Sequence, residues 1–262
     1  MKYYGTKSFP VFHLPFNFLL TTLTTYLDAK ELHDFLHTWL DAVPKGMPSN
    51  WALGNHDYGR IVRNLDTEYN FILLALVSML PGTATLYYGE ELSLGANHLV
   101  PIKDPYDRFF HRSPMQWDDT RDAGFTSGEK PWLPVHPNYW RVNVQTQKAQ
   151  ENSTLNYFKD LMSLRKTDIA KYGTLKFYIV SKWVLGICRT YKGASYITIM
   201  NLGTETQPLD LHADMNNLSE YLTVVASSPN SGYKKGFKLK TMPNYPLTSV
   251  LRPHSVIILS TK

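Results

Sequence analysis

The chain has 262 residues, 43% hydrophobic, 13% aromatic and 19% charged, with a formal net charge of +5. That composition excludes a disordered chain. The longest apolar run, 71–80, is interrupted by Ser78 and stops at Pro81-Gly82, well short of the roughly 20 residues a membrane-spanning helix needs. One cysteine, Cys188, excludes an internal disulfide and a cysteine-based zinc site.

The charge is uneven. Residues 171–262 hold 11 Lys and Arg against 4 Asp and Glu, and the first 170 hold 16 against 18. A basic tail is compatible with nucleic acid or a membrane surface. No basic run exceeds Lys234-Lys235 and no nucleic-acid motif accompanies it, so it reads as a solvated, Lys-decorated surface with no nucleic-acid partner. Met1-Lys2-Tyr3-Tyr4-Gly5 lacks the features of a secretory leader. Asn152-Ser153-Thr154 and Asn217-Leu218-Ser219 fit the N-glycosylation pattern and make Asn152 and Asn217 candidate acceptors, although two such triplets also arise by chance.

In chain order, 9–20 is apolar and aromatic, broken by Pro10 and Pro15, and is expected to contain a short strand. Asp28 and Glu31 have capping-box spacing, and Leu32, Phe35, Leu36, Trp39, Leu40 and Val43 form one apolar helical face that Pro44 and Gly46 end. Residues 51–54 read as a buried strand, followed at once by Asn55-His56-Asp57. A helix apolar nearly all round is predicted over 67–79 with Asp66 as N-cap, then a strand over 83–88. A long Pro-, Asp-, Trp- and His-rich loop fills 89–150, a length that usually carries function. A third helix is predicted over 153–166. From 174 the pattern changes to strands at 174–180, 183–190, 195–201, 221–226 and 255–260.

The expected fold is therefore α/β followed by all-β, with a boundary near Lys171: βα units in 1–170 and an antiparallel β-sandwich in 171–262. Three βα units suit part of an α/β barrel or a small open sheet. A complete barrel takes roughly 200–250 residues or more.

Asn55-His56-Asp57 follows a strand, which in a barrel is the mouth where active sites form. His56, Asp57 and Arg60 offer donors, an acceptor and a fixed positive charge, a set that suits polyhydroxylated ligands. Taken alone, the tripeptide is more often a plain helix-entry loop. In the long loop, Asp104, Asp107, Arg108, Phe109, Arg112, Gln116 and Trp117 mix charge with aromatic rings, as sugar sites do. Arg112 reads equally as a substrate contact or a loop-fixing ion pair, and the aromatics more often as loop core. Cys188 lies in an apolar strand and reads as an inert core residue.

Trp51-Ala52-Leu53-Gly54-Asn55-His56-Asp57-Tyr58-Gly59-Arg60 resembles the strand-seven motif of glycoside hydrolase family 13, the α-amylase family. Further blocks resemble its insect maltase branch: Leu14-Pro15-Phe16-Asn17-Phe18, Leu80-Pro81-Gly82-Thr83, Tyr87-Tyr88-Gly89-Glu90-Glu91-Leu92, Arg112-Ser113-Pro114-Met115-Gln116-Trp117-Asp118 with Asn138-Tyr139, and the LMSLRKT run at 161–167. The resemblance implies the last three βα units of a (β/α)8 barrel followed by a C-terminal β-sandwich. It also implies retaining hydrolysis of terminal α-glucosidic bonds in maltose, sucrose or short maltooligosaccharides. Asp57 then matches a catalytic carboxylate supporting the oxocarbenium-like sugar, His56 a hydroxyl-binding histidine, and Arg60 a subsite arginine. Arg112 falls in a loop over the acceptor side.

The departures are equally specific. Met1-Lys2-Tyr3-Tyr4-Gly5 resembles the stretch just after the family's acid/base Glu, so the nucleophile and acid/base segments find no match here. Glu90 and Glu91 follow strand eight, are not the catalytic pair, and read as loop and capping structure. Tyr58 stands where many relatives carry Asn. No cofactor or metal is implied, with calcium expected only where the early loops of a full barrel would lie. The expected partner is a small α-glucoside, and the expected location is extracellular, membrane-attached only if a longer parent is anchored. A second reading is the maltase-like extracellular domain of an amino-acid-transporter heavy subunit. Retained His56, Asp57 and Arg60 favour the enzyme.

Overall fold

The computed structural model describes residues 2–6, 8–23, 25–60, 65, 67–101, 108–209, 211, 218–241 and 249–261. In chain order these give α1 (Ala29–Leu40), β1 (Asn50–Ala52), α2 (Tyr69–Met79), β2 (Thr83–Thr85), α3 (Val144–Ala149), α4 (Thr154–Arg165) and α5 (Asp168–Tyr172). They continue with β3 (Thr174–Ile179), β4 (Val184–Tyr191), β5 (Ala194–Asn201), β6 (Gln207–Pro208), β7 (Tyr221–Ser227), β8 (Lys238–Lys240), β9 (Val250–Leu251) and β10 (Val256–Ser260).

Local chemistry explains the helix starts. The Asp28 carboxylate accepts from the Glu31 amide at 2.9 Å while Glu31 accepts from the Asp28 amide at 2.8 Å, the full capping box. Leu32 and Leu36 are fully buried beneath α1. Ser153 caps α4 and Asn143 caps α3 through side-chain oxygens. Helix α2 begins at Tyr69 after an uncapped Glu68, and the expected cap, Asp66, lies outside the described residues. All of α2 is buried, so packing holds it where capping does not.

Strands β1 and β2 are parallel, Asn50 opposite Thr83, and α2 joins them as one βαβ unit. The strand expected within 9–20 does not form. Pro10 and Pro15 remove two ladder donors, and the chain instead turns, with Thr6 and Phe9 bonded to each other and a 3-10 turn at Leu19–Thr22. A trace of pairing survives, because the Ala52 amide donates to the Asn17 carbonyl at 3.2 Å. The strand expected over 83–88 shortens to Thr83–Thr85. Large apolar side chains before α1 are left in solvent, among them Tyr3, Phe9, Val11, Phe12, Phe16 and Phe18, which are 42–79% exposed.

The C-terminal third is a six-stranded antiparallel sheet, order β3-β4-β5-β10-β7-β8, with a two-stranded β6-β9 ribbon. Its alternating residues form two interiors. Val184, Cys188, Ile197, Ile199, Ile257 and Leu259 pack with Leu209, Leu211 and Leu251 around the ribbon. Leu185, Ile187, Met200, Val256 and Ile258 face the helices. A register shift between Ile258 and Leu259 accompanies the split of β7, with Ala226 on the helix side and Val224 on the other. The second layer of the expected sandwich is therefore only this short ribbon. The sheet's other face shares one core with α1, α2 and α4.

Two arginines fasten that junction. Arg189, 1% exposed on β4, donates to the Met79 carbonyl at 2.7 Å and to the Gly173 carbonyl at 3.1 and 2.9 Å. Arg165 donates to the carbonyls of Val77 and Ser78 at 2.9 and 2.7 Å. Together they satisfy orphan carbonyls at the end of α2, the negative end of its dipole. Burial lowers both guanidinium pKa values, and for Arg189 the neighbouring Arg165 adds to the effect. Each buried carbonyl left without a donor costs about 1–3 kcal/mol, so Arg189 binds the sheet, and Arg165 binds α4, to the end of α2.

Candidate active site at the carboxyl ends of the parallel strands

The loops after β1 and β2 leave the same edge of the parallel pair. In the first, the Asn55 side chain accepts from the amides of Asp57 and Tyr58, each at 2.8 Å, and Asn55 pairs with Gly59 across a closed turn. Gly59 has φ +86°, and a Cβ there would meet the buried His111 ring at 2.3 Å, so only glycine closes this turn. The turn lifts His56, Asp57 and Tyr58 into solvent.

Arg112, 55 residues further on, reaches this tip. Its Nη2 lies 3.0 Å from Asp57 Oδ1, and its Nε donates to the His56 carbonyl at 3.1 Å. His56 Nε2 stands 3.4 Å from Asp57 Oδ2. The Phe109 ring lies against the guanidinium at 5.6 Å. The Asp57 and His56 side chains are 50% and 62% exposed. The Arg112 side chain is 24% exposed, so the ion pair is open to solvent mainly on the Asp57 side, and exposed pairs of this kind contribute about 0–1 kcal/mol. The trio presents a carboxylate, an imidazole and a planar donor on one open surface, where hydroxyl groups of a ligand can exchange with the pair.

Arg60 is not part of that surface. It is 4% exposed, donates to the Tyr88 carbonyl, and lies over the rings of Tyr88 and Tyr87 at 4.7 and 5.0 Å. Burial lowers its pKa. Of the four residues expected to catalyse or bind, His56, Asp57 and Arg112 come together, and Arg60 stands behind them as a brace between the two loops.

Glu90 completes the brace. It is 2% exposed, one oxygen accepts from the Tyr87 amide at 2.8 Å, and Oε1 has no hydrogen-bond partner. Burial raises its pKa to about 8, although the Tyr87 amide and the Arg60 charge both act to lower it. A Cβ on Gly54 would stand 2.5 Å from Oε1, so Gly54 makes room for this carboxyl. Charge pattern alone gives no sign of such burial in a Glu-Glu pair.

The long segment divides. Gln116 is buried and holds Asn138 and the Val142 carbonyl. Trp117 and Phe125, nearly half exposed, line a cleft of about 350 Å³ with Tyr88, Glu91, Arg112 and Met115. Trp117 is thus an open ring beside Arg112, whereas Phe109 packs edge-on against Trp132. Asp104 and Asp107 lie outside the described residues. A larger cavity, about 720 Å³, opens at the amino ends of β1 and β2 around Lys45, Pro48, Ser49 and Gly82. In parallel α/β folds ligands bind at the opposite, carboxyl ends of the strands, where the Asp57 loop stands. Asn152 is exposed in the turn before α4, and Asn217 lies outside the described residues. Among the described residues no group of three or more His, Cys, Asp or Glu is placed to hold a metal ion. No described helix is long and apolar enough to cross a membrane.

Comparison with known proteins fits this geometry. The fold is similar to the trehalose-6-phosphate hydrolase of Bacillus licheniformis, with a TM-score of 0.76 and 21% identity over 98% of this chain and 53% of that one. In sequence the chain is 32% identical to Maltase A1 of Drosophila melanogaster over 262 residues, covering 92% of this chain and 44% of the relative. It is 34% identical to the amino acid transporter heavy chain SLC3A1 of Rattus norvegicus over 171 residues, or 64% of this chain and 25% of the relative. The chain spans less than half the length of the maltases it matches. Residues 7–173, from the apolar segment before α1 to the end of α5, match the family model of the alpha-amylase catalytic domain, and the chain belongs to the alpha-amylase family.

Proposed function

We propose that this chain is the part of an α-glucosidase that binds the sugar from the strand-seven and strand-eight side, in a retaining hydrolase acting on terminal α-glucosidic bonds: the α-1,4 bond of maltose and short maltooligosaccharides, or the glucosyl bond of sucrose. The observation that carries the reading is the exposed Asp57 carboxylate, held by Arg112 and His56 at the carboxyl edge of the parallel strands. Asp57 stabilises the sugar ring as it gains positive charge. His56 and Arg112 hold ring hydroxyls, Arg60 sets the loop behind them, and the reaction takes no cofactor. Residues 1–170 are assigned to the barrel and 171–262 to the C-terminal module. The unformed first strand and the exposed strip from Tyr3 to Phe18 support a βα unit that takes its strand order from neighbouring barrel strands. An extracellular location and glycosylation at Asn152 and Asn217 belong to the same reading.

Retaining hydrolysis needs two carboxyl groups about 5–5.5 Å apart, a nucleophile and an acid/base. Asp57 is neither. Residues 1–262 expressed alone are expected to leave 4-nitrophenyl α-glucoside unhydrolysed. Turnover that disappears in Asp57→Asn would show that the pair lies within these residues and overturn the assignment.

The similarity to the transporter heavy chain supports a second reading, a maltase-like extracellular domain that binds a transport subunit without catalysis. Asp and Glu at the nucleophile and acid/base positions of a longer parent favour the enzyme, and their replacement favours the transporter subunit.

A further inference from the structure

Helix α1 carries two histidines one turn apart, His33 and His37, at the edge where it meets β3. Their ring centroids are 4.3 Å apart at 37°. Phe177 of β3 packs against both, each at 5.3 Å, edge-on to His33 and tilted to His37. The side chains are 29% and 35% exposed, so both rings are confined on one side and open to solvent on the other.

Each ring meets a carboxylate, and that of Asp34 also accepts from Lys30 Nζ at 2.5 Å through its other oxygen. His33 Nδ1 lies 2.9 Å from Asp34 Oδ1, and His37 Nδ1 lies 3.1 Å from Asp41 Oδ1. An ionised carboxylate only accepts hydrogen bonds. Both Nδ1 atoms therefore carry the proton, and in each neutral ring the free lone pair is on Nε2. This is the outer-sphere arrangement that fixes metal-binding histidines, in which a carboxylate sets the tautomer and orients the ring. An i,i+4 pair on a helix places both imidazoles on one face, as in helical zinc motifs.

We propose that His33 and His37 form a two-nitrogen site for a divalent transition-metal ion of the copper, nickel or zinc class. Imidazole nitrogen suits these ions and does not suit magnesium or calcium. Because no third His, Cys, Asp or Glu joins the pair among the described residues, the remaining coordination positions belong to water. The site lies on α1, outside the Asp57 loop, and is independent of the glycosidase reading. The ion would stabilise the folded chain, because only there are the two rings held side by side.

The test titrates the full 262-residue chain with CuCl2 and compares it with His33→Asn, His37→Asn and the double variant, each checked for its far-ultraviolet dichroism without metal. One Cu2+ per chain is expected at this site, with an electron paramagnetic resonance spectrum showing two nitrogen ligands. Each single variant is expected to lose at least tenfold in affinity, and the double variant little more. Asp41→Asn, which leaves both rings in place, is expected to lose about 10–100-fold. Unchanged affinity in both folded single variants overturns the site, as does a one-nitrogen spectrum from the unsubstituted chain.

Discussion

Asp57→Asn, made in a chimera that carries residues 1–262 in place of the matching stretch of Drosophila melanogaster Maltase A1, is expected to lower kcat for maltose by about 10²–10³, or ~2.7–4 kcal/mol, with KM within a few-fold of the parent. Asn keeps the size of the side chain and its ability to hydrogen-bond hydroxyls, so most ground-state binding survives. What it loses is the negative charge, which acts mainly when the sugar ring becomes positive. The Arg112 contact weakens as well, but a pair open to solvent on its Asp57 side is worth about 0–1 kcal/mol, and its loss leaves the loop closed by Asn55 and Gly59. A merely structural Asp57 would give the opposite pattern, with lower stability and normal turnover per folded molecule. A kcat within about threefold of the parent removes Asp57 from the catalytic assignment.

Glu90→Gln in the same chimera is expected to change the pH dependence of stability. The folded carboxyl titrates near pH 8 because burial disfavours its charge. In the unfolded chain it titrates near about 4.3. The folded state thus holds the proton across that window while the unfolded chain releases it. The stability this contributes is complete below pH ~4.3 and is lost as the pH rises towards about 8. The slope is at most about 1.4 kcal/mol per pH unit for one proton. Gln is neutral throughout and keeps an oxygen for the Tyr87 amide. Urea unfolding across pH 5 to 8 is expected to show a flatter profile for the variant and a gain at the alkaline end on the order of a few kcal/mol. Arg60, Glu91 and Tyr87 act on this carboxyl, and none of them is altered. Parallel profiles for parent and variant would mean that Glu90 is ionised when folded.

Legibility in the sequence follows how local each interaction is. The capping box of α1 joins residues three apart and is readable directly. Strands β4, β5, β7 and β10 are continuous runs rich in β-branched and aliphatic residues between polar turns, and they too are readable. Helices α3 and α5 are six and five residues long, too short to form on propensity alone. The first is held by the Asn143 cap and by Gln147, whose side chain donates to the Leu92 carbonyl and accepts from the Leu155 amide. Ribbon strands of two residues, β6 and β9, carry no periodicity. The segment 9–20 has strand-like composition, but strand order is conferred by neighbours, and its prolines remove donors.

At the site, His56 and Asp57 are readable as polar residues just after a buried strand. The Arg112 contact spans 55 residues, and only the ordered family blocks suggest that the two meet. Arg60 carries the same charge as Arg112 and sits in a stronger motif, yet it is buried. Its position is fixed by the Tyr87 and Tyr88 rings rather than by anything in its own loop. Glu90 reads as loop and capping structure for the same reason, because sequence shows a charge and not its solvation.

The central claim is that residues 1–262 supply a working sugar-binding side to an α-glucosidase barrel. The most direct test is steady-state hydrolysis of maltose by the unsubstituted chimera, with its folding checked by calorimetry. The account predicts turnover that depends on Asp57 of this chain. A cooperatively folded chimera that binds maltose or a glucoside inhibitor but hydrolyses nothing would contradict it.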